Sequence, residues 1–227
     1  MKIGALAQQF DVTVDTIRFY EKQGLLATAP RSGAGYRQYG TSDVQRLSFI
    51  LRAKAIGFSL QQIRELLAWA REHDVIVIPY GGGTSVAGHI NPQAGSKPVL
   101  TLSLERMGKL IEIDHDSLIA TFGPGANGPQ VESQLRARGY TLGHFPQSWE
   151  LSTLGGWVAS RSSGQQSLRY GRIEQLFAGG KVETFAGTLE IPTFPASAAG
   201  PDLREILMGS EGRFGIISEV KVRITRL

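Results

Sequence analysis

The stretch Leu67-Ala68-Trp69-Ala70-Arg71-Glu72-His73-Asp74-Val75 decides how this chain is divided, because two unlike sequence patterns meet inside it. Upstream, short helical periodicities alternate with breaks rich in Gly, Pro and Arg. Downstream, strand-like apolar runs alternate with glycine clusters, beginning with Val75-Ile76-Val77-Ile78 and Gly81-Gly82-Gly83. No Pro, Gly or Ser linker separates the two. Ser59-Leu60-Gln61-Gln62 carries the S-x-x-Q capping-box pattern that opens a helix. Leu60, Ile63, Leu66, Leu67 and Ala70 then mark an apolar stripe at helical spacing. Ser59 to Glu72 therefore reads as one helix shared by both patterns, with the boundary between parts set at residues 70 and 71. The expected fold class is α+β in two parts, residues 1–70 and 71–227.

Charge separates the same two parts. Residues 1–70 hold 9 Lys and Arg against 5 Asp and Glu, whereas 71–227 hold 15 of each. The whole formal charge of +4 thus lies upstream, where a polyanionic partner is expected. The chain has no cysteine, which excludes disulfides, thiolate metal sites and thiol catalysis. No apolar run approaches the roughly 20 residues of a membrane span, and the N-terminus lacks a signal-peptide pattern. The reading is a cytoplasmic protein with no membrane partner.

In the upstream part, Ile3, Leu6, Ala7 and Phe10 recur at helical spacing. Thr13 stands where an N-cap belongs, with Asp15 in the first turn of a second helix that Gly24 ends. Leu25 to Tyr39 contains Pro30, Gly33 and Gly35 and reads as a small hairpin bearing Arg31, Tyr36, Arg37 and Tyr39. A third helix runs from Thr41 and Ser42 through Ala55 to Gly57. The elements Ile3-Gly4-Ala5-Leu6-Ala7, Thr16-Ile17-Arg18-Phe19-Tyr20-Glu21, Gly35-Tyr36-Arg37-Gln38-Tyr39 and Gly57-Phe58-Ser59-Leu60 make residues 2–67 resemble the winged-helix domain of MerR-type transcription regulators. The resemblance implies a double-stranded DNA partner. It puts Thr13, Thr16, Arg18 and Tyr20 on or beside the recognition helix, and Tyr36, Arg37 and Tyr39 on the wing. Such regulators dimerise through a long helix after the fourth. No long heptad run is legible here, so dimerisation stays open.

Downstream, Val99 to Leu104, Leu110 to Ile113 and Leu118 to Thr121 are strand-like, Pro129 to Arg138 is helical, and Val220 to Ile224 is a further strand. The glycine loop Pro79-Tyr80-Gly81-Gly82-Gly83-Thr84-Ser85 can bring backbone amides close to an anion. It is neither a G-x-G-x-x-G fingerprint nor a Walker A loop. Three more motifs follow, Pro146 to Gly156, Ser160 to Gly164 and Gly209 to Glu219. Together the four resemble the FAD-binding domain of the vanillyl-alcohol oxidase and p-cresol methylhydroxylase fold, on the side of alkylglycerone-phosphate synthases and FAD-linked oxidoreductases.

That resemblance implies pyrophosphate contacts at Pro79, Tyr80, Gly81, Gly82, Gly83, Thr84 and Ser85. It implies diphosphate and flavin-ring contacts at Gln147, Ser148, Ser152, Thr153, Ser162, Ser163 and Gly164. Adenosine-side contacts fall to Glu211, Gly212, Gly215, Ile216 and Ile217. Gln147 and Arg213-Phe214 depart from the family pattern. His73, His89, His115 and His144 lack ligand spacing, so the FAD is expected to be noncovalent, with no metal and no assigned catalytic residue. Asp114-His115-Asp116 between two strands reads as a polar turn.

Relatives also carry a strand-helix unit before the glycine loop and a cap domain after the last strand. Without that cap, little turnover is expected from this stretch alone. Three functional readings stay open on the sequence. They are an FAD-linked oxidoreductase module with a DNA-binding head, a regulator using the flavin fold as sensor or scaffold, and a chimera of natural, engineered or accidental origin.

Overall fold

The computed structural model describes residues 1–10, 12–22, 26, 29–30, 37–44, 46–47, 59–93, 95–195 and 197–227. It divides into two compact units, Met1–Gly57 and Phe58–Leu227.

In the first unit, α1 (Ile3–Gln9) and α2 (Val14–Lys22) stand on either side of a short break. Thr13 caps α2 as its position suggests: its Oγ1 accepts the Thr16 amide at 3.1 Å, satisfying a first-turn donor that has no intrahelical partner. Leu6, Ala7, Ile17, Tyr20, Leu26, Ala29, Tyr39 and Leu47 form one core. The chain start pairs with the end of the proposed hairpin, through a Lys2–Gln38 bridge and the Tyr39 amide donated to Met1 O at 2.9 Å. Residues 41–44 and 46–47 are helical. The expected sites at Gly24, Arg31 and Tyr36, and the third helix beyond residue 47, lie outside the described residues.

The second unit opens with α3 (Leu60–Glu72), whose capping box forms as its sequence implies: Gln62 N donates to Ser59 Oγ and Ser59 N to Gln62 Oε1. Its stripe of Ile63, Leu66 and Leu67 packs on Leu102, Leu104 and Ile216. Strands β1 (Ile76–Tyr80) and β2 (Val99–Ser103) form a parallel pair. Beside them lies a five-stranded antiparallel sheet. It contains β3 (Leu110–Asp114), β4 (Ile119–Phe122), β6 (Phe177–Thr184), β7 (Gly187–Ile191) and β8 (Ile216–Arg223), in the order β3-β4-β8-β6-β7. Short strands β5 (Tyr140–Thr141) and β9 (Thr225–Arg226) pair separately. Helices α4 (Gly128–Arg136), α5 (Leu154–Ser160), α6 (Ser167–Tyr170), α7 (Ile173–Leu176) and α8 (Leu203–Leu207) complete the unit.

Phe122, Leu135, Trp157, Phe177 and Val220 anchor a core between the sheet and its helices. Asp114-His115-Asp116 is the polar turn its composition suggested. Asp114 Oδ1 accepts the amides of Asp116 and Ser117 at 3.0 and 2.9 Å, and the bond from Ser117 is the main reason its carboxyl lies below the usual range.

The sheet's inner strand β6 and edge strand β7 are the elements that sequence reading passes over. Gly179-Gly180 interrupts β6, and glycine pairs normally weaken a strand. The structure explains them by close approach: a Cβ on Gly180 would sit 2.1 Å from the Glu219 carbonyl of β8.

Candidate functional site

The glycine loop follows directly from β1, which carries Pro79 and Tyr80 to its mouth. Its glycines are required by a close crossing. A Cβ on Gly82 would lie 1.8 Å from the Leu151 carbonyl oxygen, deep inside any allowed contact. The loop therefore presses against the segment running from Pro146 into α5. Among the described residues, no protein acceptor takes up the amides of Gly81, Gly82, Gly83, Thr84 or Ser85. Gly81, Gly82, Thr84 and Ser85 are half-buried and Gly83 is exposed, so the loop offers a run of five amides that an anion can take up.

The N-terminus of α5 is different. Leu154 N and Gly155 N donate to Ala126 O and Pro124 O, each at 2.8 Å, and Gly156 N donates to the N-cap hydroxyl of Thr153. Its amides are used internally. The segment before it is fixed by turns, and Ser152 Oγ accepts the buried Trp157 indole N–H at 2.7 Å.

Four segments far apart in sequence meet at one cleft of about 480 Å³. Pro79, Gly81, Gly82, Gly83, Thr84 and Ser85 form one wall. Gln147, Ser148, Ser152 and Thr153 form a second, and Ser162 and Ser163 a third. Glu211, Gly212, Gly215 and Ile217 close the fourth. Three of the expected residues do not line it. The Tyr80 ring packs against Gly83, Gly164 N donates to Ser167 Oγ, and Ile216 is buried under α3.

The cleft also takes in Val86, His89, Leu104, Pro124, Trp157 and Ser160, none of them among the expected cofactor contacts. Trp157 and Ser160 were within reach of sequence reading, being spaced three apart on the helix that follows the second motif. His89 was not, because its partner Glu211 is over a hundred residues away. His89 Nδ1 lies 3.0 Å from Glu211 Oε2 and 2.9 Å from Ser85 Oγ, tying the glycine-loop wall to the fourth wall. Among the described lining residues there is no Lys or Arg. Amides and hydroxyls are therefore the groups available to an anionic ligand.

Each histidine has its own partner. His73 bonds Trp69 O, His115 bonds the Tyr140 hydroxyl, and His144 Nε2 lies 2.8 Å from Ser162 Oγ. His144 is 1 % exposed, and burial pushes its pKa down from 6.5 to about 4. On acidification the unfolded chain therefore takes up this proton before the folded one does. Its contribution is fully present above pH 6.5 and is lost as pH falls towards 4, at about 1.4 kcal/mol per pH unit, or ~3 kcal/mol in all. Urea midpoints followed between pH 7 and 4.5 should fall more steeply for the native chain than for His144→Phe. Parallel slopes would refute the assignment.

In the first unit, Thr13 and Arg18 are exposed and Thr16 half-buried on α2. Arg18 Nη1 pairs with Asp15 at 3.2 Å, and both side chains are open to solvent. Tyr20 and Tyr39 are buried in the core. Tyr39 donates its hydroxyl to Glu21 Oε1 at 2.9 Å, Ala29 N reaches the same oxygen, and Arg37 Nε lies 3.0 Å from Glu21 Oε2. Burial, then the bond to Glu21, raises the Tyr39 pKa further from the physiological range. The Glu21 side chain thus joins α2 to both ends of the proposed hairpin.

A cleft walled by a glycine loop, unpaired amides and hydroxyls, with no Lys or Arg among its described lining residues, suits an anionic ligand held by neutral donors. Comparison with known proteins makes the class specific. Residues 56–191 match the model of the FAD binding domain family, and the chain belongs to that family. Residues 1–69 match the MerR HTH family of regulatory proteins. Over 165 residues the chain is 40% identical to an alkyldihydroxyacetonephosphate synthase of Trypanosoma brucei brucei, covering 72% of this chain and 27% of that protein. A solved alkyldihydroxyacetonephosphate synthase structure superposes with a TM-score of 0.70 at 37% identity, covering 74% of this chain and 30% of that one. Over 67 residues the chain is 52% identical to the HTH-type transcriptional regulator ZntR of Escherichia coli (strain K12), covering 30% of this chain and 48% of that protein. The chain spans about a quarter of the length of its synthase relative. It carries an FAD-binding module similar to that of alkyldihydroxyacetonephosphate synthase, and a MerR-like helix-turn-helix head. No helix among the described residues is long and apolar enough to cross a membrane.

Proposed function

We propose that residues 71–227 act as an FAD-holding module of an oxidoreductase or synthase of this type, and that residues 1–70 form a winged helix that binds duplex DNA. The observation that carries the first part is the convergence of four separated motifs on one cleft with unused amides at its glycine loop. In this reading the pyrophosphate lies on the amides of Gly81 to Ser85. The flavin ring and diphosphate run along Gln147, Ser148, Ser152, Thr153, Ser162 and Ser163, and the adenosine side follows Glu211, Gly212, Gly215 and Ile217. The fit is sound on this structure: the Gly82 crossing leaves no room for a side chain, and neutral donors suit a diphosphate. The cofactor is held noncovalently. The chain has no cysteine, and the cleft histidine His89 is already engaged by Ser85 and Glu211.

When bound, FAD supplies two-electron redox chemistry. The residues of this chain bind and orient it and shield it on four sides. Turnover further requires groups aimed at the reacting atom of a substrate, and no residue of the cleft is assigned that task. The helix Ser59 to Glu72 is read as shared between the two parts. Purified chain incubated with FAD and desalted should keep a yellow flavin spectrum at one equivalent. Colourless protein after that treatment would overturn the module reading.

The DNA-binding part rests on the exposure of Thr13 and Arg18 on α2 and on the positive excess of residues 1–70. Affinity for duplex DNA should fall steeply with salt as counterions are released. Arg18→Ala should weaken binding about tenfold, the loss of one charge-assisted contact. Salt-independent binding, unchanged by Arg18→Ala, would contradict it.

A further inference from the structure

Ser162 lines the cleft with His144 buried behind it, and the geometry of the pair points to a task. His144 is buried, its ring meeting the Trp157 ring edge-on at 61° with centroids 5.1 Å apart. Its Nε2 is 2.8 Å from Ser162 Oγ, whereas Nδ1 has no hydrogen-bond partner among the described residues. A Cβ on Gly164 would come within 3.3 Å of Nδ1, so the nearest chain offers it packing and no acceptor. A neutral imidazole carries one proton, and the network decides which nitrogen holds it. A buried N–H without an acceptor is costlier and rarer than an acceptor left unpaired. The proton therefore belongs on Nε2, donated to Ser162 Oγ. Ser162 lines the cleft, and its oxygen is then already an acceptor. Its own hydroxyl hydrogen is left to point into the cleft.

We propose that His144 is a positioning residue that fixes Ser162 as a one-way hydrogen-bond donor to an acceptor atom of the bound FAD. The proposal rests on the FAD reading above. A serine hydroxyl alone can rotate and serve as donor or acceptor. With His144 donating to it, Ser162 favours a ligand oxygen or bare ring nitrogen and disfavours a ligand N–H. The low pKa that burial gives His144 keeps it neutral across the physiological range, so the polarity of the pair does not change there.

The test has two independent arms. In the first, histidine ¹⁵N–¹H correlation spectra of the full chain without cofactor at pH 7 should show His144 as the Nε2–H tautomer. An Nδ1–H or doubly protonated ring would overturn the proposal whatever FAD does. In the second, FAD titrations should show Ser162→Ala and His144→Phe each weakening affinity about fivefold to tenfold, the worth of one hydrogen bond. The double variant should be no weaker than Ser162→Ala alone, and each single variant should give the same displaced flavin absorbance maximum. His144→Gln, whose amide can still donate to Ser162, should recover part of the loss. Additive losses in the double variant would mean that His144 acts only through packing, and would overturn the proposal. Failure of the native chain to bind FAD at all would instead sink the cofactor reading on which it stands, a result the tautomer arm does not share.

Discussion

Replacing Gly82 by alanine is expected to weaken FAD binding at least about a hundredfold while leaving the chain folded. The added Cβ would stand 1.8 Å from the Leu151 carbonyl oxygen, which is backbone and cannot rotate away. The glycine loop and the segment leading into α5 must then separate, and the five unused amides lose their common focus. Losing two charge-assisted bonds of about 1.5–3 kcal/mol each accounts for the expected factor. Gly95→Ala is the matched control, since among the described residues nothing lies within 4 Å of its new Cβ. Fluorescence quenching of added FAD should separate the two variants clearly. Equal affinity for Gly82→Ala and the native chain would show that the loop crossing has no part in the site.

The second large effect is expected far from any ligand. Glu132 is 4 % exposed on α4. Its Oε1 accepts the amides of Leu142 and Gly143 at 3.0 Å each, its Oε2 accepts the Thr141 hydroxyl at 2.8 Å, and Arg136 lies 3.3 Å from Oε2. Glu132→Ala leaves three buried donors without an acceptor, each costing about 1–3 kcal/mol, so a loss of roughly 4 kcal/mol is expected. That is a large share of the stability of an ordinary domain. Glu132→Gln keeps one acceptor oxygen and should lose less than half as much. All three tryptophans, Trp69, Trp149 and Trp157, belong to the second unit. Urea unfolding followed by indole fluorescence therefore reads that unit alone. A midpoint unmoved by Glu132→Ala would refute the hub. The same contacts hold the segment from Thr141 to Gly143 that leads on to Gln147 at the cleft, so FAD affinity should fall with stability.

What could be read from sequence follows from how local each signal is. The caps at Thr13 and at Ser59 with Gln62 need only residues three apart, and both form as their spacing implies. The turn at Asp114 and the strands around Ile76, Val99 and Ile119 are likewise short-range patterns. The strand β6 was hidden because Gly179-Gly180 looks like a break unless the crossing of β8 is known. Buried carboxylates at Glu21, Glu132 and Glu183 were illegible for a related reason. Their partners stand far off in sequence, as with Ser218 and Arg64 on Glu183, and charge in a sequence normally reads as surface. Most of the expected cleft residues meet at one place because glycine, serine and threonine motifs of this family mark backbone approach, which is encoded locally. The Ser85–His89–Glu211 link has no such local mark.

The most direct measurement is a calorimetric titration of FAD into the full chain freed of cofactor. One site per chain, with affinity lost in Gly82→Ala and kept in Gly95→Ala, is the predicted result. No heat and no binding at millimolar FAD by correctly folded native chain would contradict the account at its centre.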